Sequence, residues 1–115
     1  MVHHSQASLD ACFAALSDAT RRGVLVQLGG ADASITRLAD KFHMTLTGMK
    51  KHVGVLERAG LVRTVKVGRV RTCTLGPRRL EAETAWLEHY RQRWDARFDA
   101  LEQVVQELQR KEKSR

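Results

Sequence analysis

Apolar positions in the first half of the chain recur at the three- and four-residue spacing that gathers side chains on one side of a helix. From Ser8, the series Leu9, Cys12, Phe13 and Leu16 predicts a first core-facing helix. Ser17-Asp18 interrupts it, and Asp18 can cap a second helix with Val24, Leu25 and Leu28 inward and Gly29-Gly30 as its stop. Ala31 to Ser34 reads as a loop whose serine caps a short third helix, with Ile35, Leu38, Ala39 and Phe42 on its apolar side. After the turn at His43-Met44, Thr45 caps a fourth helix. Its Leu46, Met49, Val53 and Leu56 face inward, and Thr47, Gly48, Lys50, Lys51 and Gly54 face solvent. Ala59-Gly60 ends it, glycine being the usual residue just past a last helical turn.

The period then changes. Leu61 to Val65 and Val70 to Leu75 are β-branched runs flanking Lys66-Val67-Gly68-Arg69, a pattern that predicts a hairpin with a positively charged tip. Pro77 is the only proline, and from Arg78 to about Gln109 there is neither glycine nor proline. One helix of some 32 residues, ~48 Å long at ~1.5 Å per residue, is expected there. Leu80, Leu87, Trp94, Leu101 and Leu108 repeat every seven residues; Tyr90 and Val104 fall three after members of that series, Phe98 and Val105 four after. Such spacing marks a seam against another helix. Four short helices cannot cover so long a face, so a second copy of the chain is expected to cover the rest.

The expected organisation is a flexible start (1–7), a compact domain of short helices and a hairpin (8–77), a dimerisation helix (78–110) and a solvated tail (111–115). With 115 residues, 43% of them hydrophobic and 29% charged, the chain suits a single globular domain. No apolar run approaches the roughly 18 residues a membrane span needs. Met1 to Ser8 lacks the basic start and hydrophobic segment of a secretory signal, so a cytoplasmic location is expected. Cys12 and Cys73, far apart and without a CxxC pattern, are then expected to be free and partly buried.

Charge sharpens this picture. Met44 to Arg71 holds Lys50, Lys51, Arg58, Arg63, Lys66, Arg69 and Arg71 against the single acid Glu57, a formal +6 out of the chain's +7. A positive field confined to a quarter of a small domain suits a polyanion, because each cation set near a phosphate releases condensed counterions. A capped helix with small and basic residues outward, followed at once by a basic hairpin, is the recipe for a winged helix-turn-helix, in which the helix enters the major groove and the hairpin meets the neighbouring backbone. The fold expected is therefore mainly α with a small β-hairpin and a long C-terminal helix, assembled as a homodimer.

The candidate DNA-binding residues are Thr45, Thr47, Gly48, Lys50, Lys51 and His52 on the helix and Arg63, Lys66, Arg69 and Arg71 on the hairpin. His52 reads as a phosphate-facing donor, since Lys50 and Lys51 beside it would repel a metal. The candidate dimer residues are Leu9, Phe13, Leu87, Tyr90, Trp94, Leu101 and Val105. No nucleophile elbow, Gly-rich phosphate loop, HExxH or paired carboxylates are present, so catalysis is not expected, and neither is a cofactor. His89, with Glu88 and Asp95 nearby, is the last helix's only histidine and too few ligands for a metal; His3 and His4 lie in the start expected to fray. Two other readings remain open: a protein-interaction module built on the long helix, and a sequence-independent architectural DNA binder. Trp86, Tyr90 and Trp94 leave room for a small-molecule effector near the seam, although aromatic residues at this spacing usually serve as core.

A family likeness lies in Leu16-Ser17-Asp18-Ala19-Thr20-Arg21-Arg22, Met44-Thr45, Lys51-His52-Val53, Leu56-Glu57-Arg58-Ala59-Gly60-Leu61-Val62 and the basic hairpin. From about Leu9 to Leu75 the chain resembles the ArsR-type winged-helix repressors. The resemblance implies a homodimer built on the first and last helices, repressing transcription from a partly palindromic operator. Lys50 stands where the family usually has serine, so base preference does not carry over. The third helix reads Ile35-Thr36-Arg37-Leu38-Ala39-Asp40 and lacks the CxC thiolates of the metal-sensing members, so that role does not carry over either.

Overall fold

The structure, a computed structural model, describes residues 6–114. In chain order it contains α1 (Gln6–Leu16), α2 (Ala19–Gly30), β1 (Ala33–Ser34), α3 (Ile35–Lys41), α4 (Leu46–Arg58), β2 (Val62–Val67), β3 (Val70–Leu75) and α5 (Glu81–Lys113). Residues up to Glu81 form one compact unit and those from Ala82 onward another. Of the start expected to be flexible, Gln6 and Ala7 already belong to α1, and the rest, with His3 and His4, lies outside the described residues.

The three helix starts expected from Asp18, Ser34 and Thr45 are all made by side-chain caps. The Asp18 carboxylate accepts from the Arg21 N–H at 3.0 Å, Ser34 Oγ from Arg37 N–H at 3.1 Å, and Thr45 Oγ1 from Gly48 N–H at 3.0 Å. Helix α4 ends as expected at Gly60, whose φ of +79° lets Gly60 N–H reach Glu57 O and Leu61 N–H reach Leu56 O. Helix α3 ends by the same pair of bonds, His43 N–H to Asp40 O and Met44 N–H to Ala39 O, with His43 itself at φ +55°. That left-handed residue makes the tight turn between α3 and α4 without a glycine.

Several boundaries differ from expectation. Gly29 and Gly30 do not stop α2; they form its last turn, and the Ala31 N–H continues the ladder to Gln27 O. Part of the expected loop is strand β1, which pairs antiparallel with β3 (Ala33 opposite Cys73, Ser34 opposite Thr72), giving a three-stranded sheet in the order β1-β3-β2. Helix α5 starts at Glu81 rather than Arg78, because Leu80 adopts φ +64° and packs against the core, which removes it from the heptad series. Arg78 instead donates from Nη1 to Ser8 Oγ at 3.0 Å and to Ala59 O at 3.3 Å, fastening the exit from the sheet to the helices. At the far end α5 runs on to Lys113, so most of the expected tail is helical.

The core gathers one face of each element of the first unit: Cys12 and Ala15, Val24 and Leu28, Leu38 and Ala39, Met49, Val53 and Leu56, then Leu61, Val62 and Cys73. Leu46, expected inward, is 43% exposed, since at the first turn of α4 it lies beyond the packed face. The hairpin closes at a two-residue turn, Gly68-Arg69, between the paired Val67 and Val70. Only Gly68 there has positive φ (+63°), the pattern of a II′ turn.

At the base of the hairpin Gly76 donates to Leu61 O at 2.9 Å, and a Cβ at Gly76 would run into the Gly60 carbonyl oxygen and the Leu61 backbone. Gly29 has open space around it. Gly76→Ala is therefore expected to cost about 2 kcal/mol through overpacking against backbone that cannot yield. Gly29→Ala is expected to stabilise by roughly 0.5 kcal/mol through helix propensity. Urea unfolding of the two variants, compared with the unsubstituted chain, checks both signs.

Candidate nucleic-acid interface

The orientation of α4 is set from the corner between α1 and α2. The last carbonyls of α1 have no partners within their helix. Arg21 donates from Nε to Ala15 O at 2.8 Å and from Nη2 to Ala14 O at 3.0 Å, while Arg22 Nη1 reaches Leu16 O at 2.7 Å. The remaining arm of Arg21 lies 3.3 Å from His52 Nδ1 on α4, and Asp18 Oδ2 is 3.8 Å from the same nitrogen. Asp18, Arg21 and His52 thus join two helix ends to the middle of a third.

Sequence reasoning did not anticipate this place for His52. It expected a donor facing phosphate, whereas the ring is half-buried and its Nδ1 faces Arg21 and Asp18. Only Nε2 is left for a phosphate. The Arg21 N–H holds the Asp18 carboxyl below the usual carboxylate range; partial desolvation opposes this, and the charges of His52 and Arg21 add to it.

On the outer side of α4, Thr45, Thr47, Lys50 and Lys51 are exposed. Gly48 is half-buried, and a Cβ there would sit 3.1 Å from the Thr45 hydroxyl, so the glycine leaves room for the cap. Gly54, expected to face solvent, is half-buried beside the Arg58 guanidinium. Lys50 lies on the side of α4 that faces the hairpin, across a cleft of about 620 Å³ that Lys66, Arg69 and Arg71 also line.

Alternation along the strands sorts the hairpin cations. Thr64 pairs with Cys73 and Lys66 with Arg71 on one face, while Arg63 pairs with Thr74 on the other. Arg63 is therefore not brought to the cleft with the rest. The hairpin is latched to α4 by the Thr64 hydroxyl, which donates to Glu57 Oε2 at 2.6 Å and lies 3.5 Å from Arg71 Nη1. Glu57, the one acid of the basic stretch, is thereby tied up in setting the angle between helix and hairpin. Lys66 and Arg71, like charges directly opposed across two strands, destabilise the bare hairpin and favour its binding to an anion.

Elsewhere, the Cys12 and Cys73 thiols are fully buried, a deeper burial than expected. Desolvation, with the charge of Glu57 behind it, pushes the Cys73 thiol up to about 11, so it stays protonated and unreactive at neutral pH. Among the described residues no group of three His, Cys, Asp or Glu is placed to hold a metal, and no helix is long and apolar enough to cross a membrane. Of the expected dimer residues, Leu9 and Phe13 are half-buried. Leu87, Tyr90, Trp94, Leu101 and Val105 are between 44% and 52% exposed on α5. Trp86 and Tyr90 stack with ring centroids 5.4 Å apart, Tyr90 meets Trp94 edge-on at 6.1 Å, and Trp94 stacks on Phe98 at 5.2 Å.

A helix, a tight turn, a second helix with a cationic outer side and an adjoining cationic hairpin define a winged helix-turn-helix. A family described as a helix-turn-helix domain matches residues 16–65. A crystal structure of an ArsR family transcriptional regulator, RHA00566, is 39% identical with a TM-score of 0.73, over 83% of this chain and 97% of that one. An ArsR-like transcriptional regulator from Rhodococcus sp. RHA1 is 38% identical with a TM-score of 0.69, over 85% and 92% of the two chains. A homodimeric winged helix-turn-helix DNA-binding domain from Mycobacterium bovis shares the fold at 17% identity, with a TM-score of 0.61 over 80% and 91%. No curated protein sequence matches the chain. The chain belongs to the ArsR family of transcriptional regulators, and it is a DNA-binding transcriptional regulator.

Because the fold favours the charged form of Asp18, the stability this contributes is present above the ordinary carboxylate value of 3.8 and is lost as pH falls through the lowered one. Asp18→Asn keeps a capping oxygen and removes the titration. Urea midpoints measured from mildly to strongly acidic pH are expected to fall less steeply for Asp18→Asn than for the unsubstituted chain.

Proposed function

We propose that the chain acts in the cytoplasm as a homodimeric repressor of a partly palindromic operator. One observation carries this reading: Lys50 of α4 and the cations Lys66, Arg69 and Arg71 of the hairpin border a single cleft, and two of them, Lys66 and Arg71, stand opposed with no acid between them. In the dimer two α4 helices lie about 34 Å apart, one turn of B-form DNA, and enter successive major grooves. Thr47, Lys50 and Lys51 meet base edges there, a lysine at guanine acceptors and the threonine methyl at thymine. Lys66, Arg69 and Arg71 hold phosphates along the adjoining backbone, which fixes register without reading sequence, and Arg63 contributes from the other hairpin face. Thr45 and the amide end of α4 take a further phosphate. His52 acts through Arg21 and Asp18 as a positioning residue that holds α4 to the rest of the fold. Occupying the operator then blocks transcription.

Pairing would bring together α1, through Leu9 and Phe13, and α5, through Leu87, Tyr90, Trp94, Leu101 and Val105. The homodimeric domain of the same fold supports this assembly, and so does the half-exposed row on α5. That row also suits a second reading, in which α5 recruits a different protein; it predicts a monomer in solution.

Two measurements test these assignments. Replacing Lys66 and Arg69 together with alanine is expected to weaken binding to every duplex and to flatten the plot of log affinity against log salt by about 2, at ~0.9 for each phosphate no longer neutralised. Lys51→Ala is expected to change preference at particular base pairs instead. An unchanged salt slope in the double variant would refute the hairpin assignment, and equal affinity for operator and random duplex would favour an architectural binder. In sedimentation, the unsubstituted chain is expected to be a dimer at micromolar concentration and Leu101→Glu a monomer, because the substitution sets a charge in the middle of the seam. A monomeric unsubstituted chain would sink the paired arrangement.

A further inference from the structure

The cleft between α4 and the hairpin carries a feature that phosphate binding leaves unused. Its rim is cationic, formed by Lys50, Lys66, Arg69 and Arg71, but its walls include Ile35, Leu46, Val53 and Val70. Leu46 and Val70 are 43% and 53% exposed, so apolar surface stands open directly beside the charges. Among the described residues Lys50, Lys66 and Arg69 have no hydrogen-bond or ion-pair partner, and the only acid lining the cleft, Glu57, is engaged by Thr64. At about 620 Å³ the space falls within the range that encloses a small organic molecule.

We propose that this cleft is an effector site for a small organic acid: an apolar ring system or chain on the order of ten carbons that carries one carboxylate. The apolar body covers the exposed Leu46 and Val70, and the carboxylate meets the guanidinium groups of Arg69 and Arg71, whose planar forks match its two oxygens. A neutral molecule of the same shape leaves the cations unanswered, and inorganic phosphate leaves the apolar wall wet. The cations that hold the acid are those assigned above to the duplex, so acid and duplex exclude one another and a rise in the acid releases the operator. This last step rests on the proposed DNA contacts; the binding of the acid does not.

The probe is 1-naphthylacetate, titrated into the full chain without DNA and followed by backbone amide NMR, with neutral 1-naphthylacetamide as its partner of equal shape. The expected result is saturable shifts over α4 and the β2–β3 hairpin with submillimolar affinity, and binding of the amide weaker by about tenfold or more, as befits the removal of one charge-assisted hydrogen bond. Val70→Thr, which keeps a β-branched residue at a position given no part in DNA binding, is expected to weaken the acid about fivefold and to leave low-salt affinity for random duplex within about twofold. Added to the protein–duplex complex, the acid is expected to displace DNA at concentrations matching its own affinity. Absence of shifts at millimolar acid, shifts confined to the aromatic row of α5, equal binding of acid and amide, or no effect of Val70→Thr would each overturn the site. Duplex that stays bound while the acid fills the cleft would overturn its regulatory role. Acid binding in the cleft of a chain that binds no duplex at all would sustain the site and refute the DNA reading instead.

Discussion

A single guanidinium decides where the recognition helix points. Arg21 has a rigid fork of N–H donors and no way to lose its charge, and it spends that fork on the two carbonyls that end α1 and on a ring nitrogen in the middle of α4. Asp18 fixes the same corner from below, capping α2 while facing His52. Three helices therefore meet at one polar point, and α4 cannot rotate about its axis without breaking it. Lysine could not replace Arg21 here, because a point charge on a flexible stem cannot bridge two carbonyls in fixed directions and still lie against His52. The run Ser17-Asp18-Ala19-Thr20-Arg21-Arg22 is thus a mechanical element that acts on α4 from behind the side proposed to meet DNA.

The hairpin depends on a second and slighter fastening. Glu57 and Thr64 tie its base to α4, whereas beyond that point its tip carries Lys66, Gly68, Arg69 and Arg71 with nothing to neutralise them. Opposed like charges on a two-stranded ribbon weaken it, and salt relieves only part of this. A basic tip on an anchored base is stable enough to be positioned and still gains from meeting a polyanion. The same arrangement, with apolar Leu46 and Val70 beside the cations, opens the cleft that the proposed effector would fill.

Much of this was legible in the residues, and all but one of the exceptions share a cause. Asp18, Ser34, Thr45 and Gly60 announce their roles because capping chemistry is local: an oxygen or a left-handed residue acts within one turn of where it stands. The hairpin turn at Gly68 is local in the same sense. What sequence reading missed depends on partners far along the chain. Ala33-Ser34 becomes a strand only because Cys73 and Thr72 lie alongside it. His52 turns inward because Arg21, 31 residues earlier, reaches it. Leu80 leaves the heptad series because the core of the first unit takes it, and no spacing rule could reveal that. Leu46 was misplaced for a different reason: helical periodicity gives its direction from the axis but not where the packed neighbours end.

Charge and apolar surface are divided between the two units, and the division argues for what each one does. Glu81 to Lys113 holds eight acids against six Lys or Arg, so the helix that follows the hairpin adds nothing to the positive field and is no basic arm for DNA. It carries instead a row of aromatics in ring contact, Trp86, Tyr90, Trp94 and Phe98, stacked at both ends and edge-on between Tyr90 and Trp94, continued by Leu101, Val105 and Leu108. Ring contact at four-residue spacing restrains each side chain before any partner arrives, which lowers the entropy lost on association. Residues left near half exposure in an isolated chain, and already held in one arrangement, favour an apolar surface that comes to rest against another. A helix of this length can run alongside a copy of itself for most of its 33 residues, and in the proposed dimer such pairing makes two salt-sensitive DNA contacts act as one.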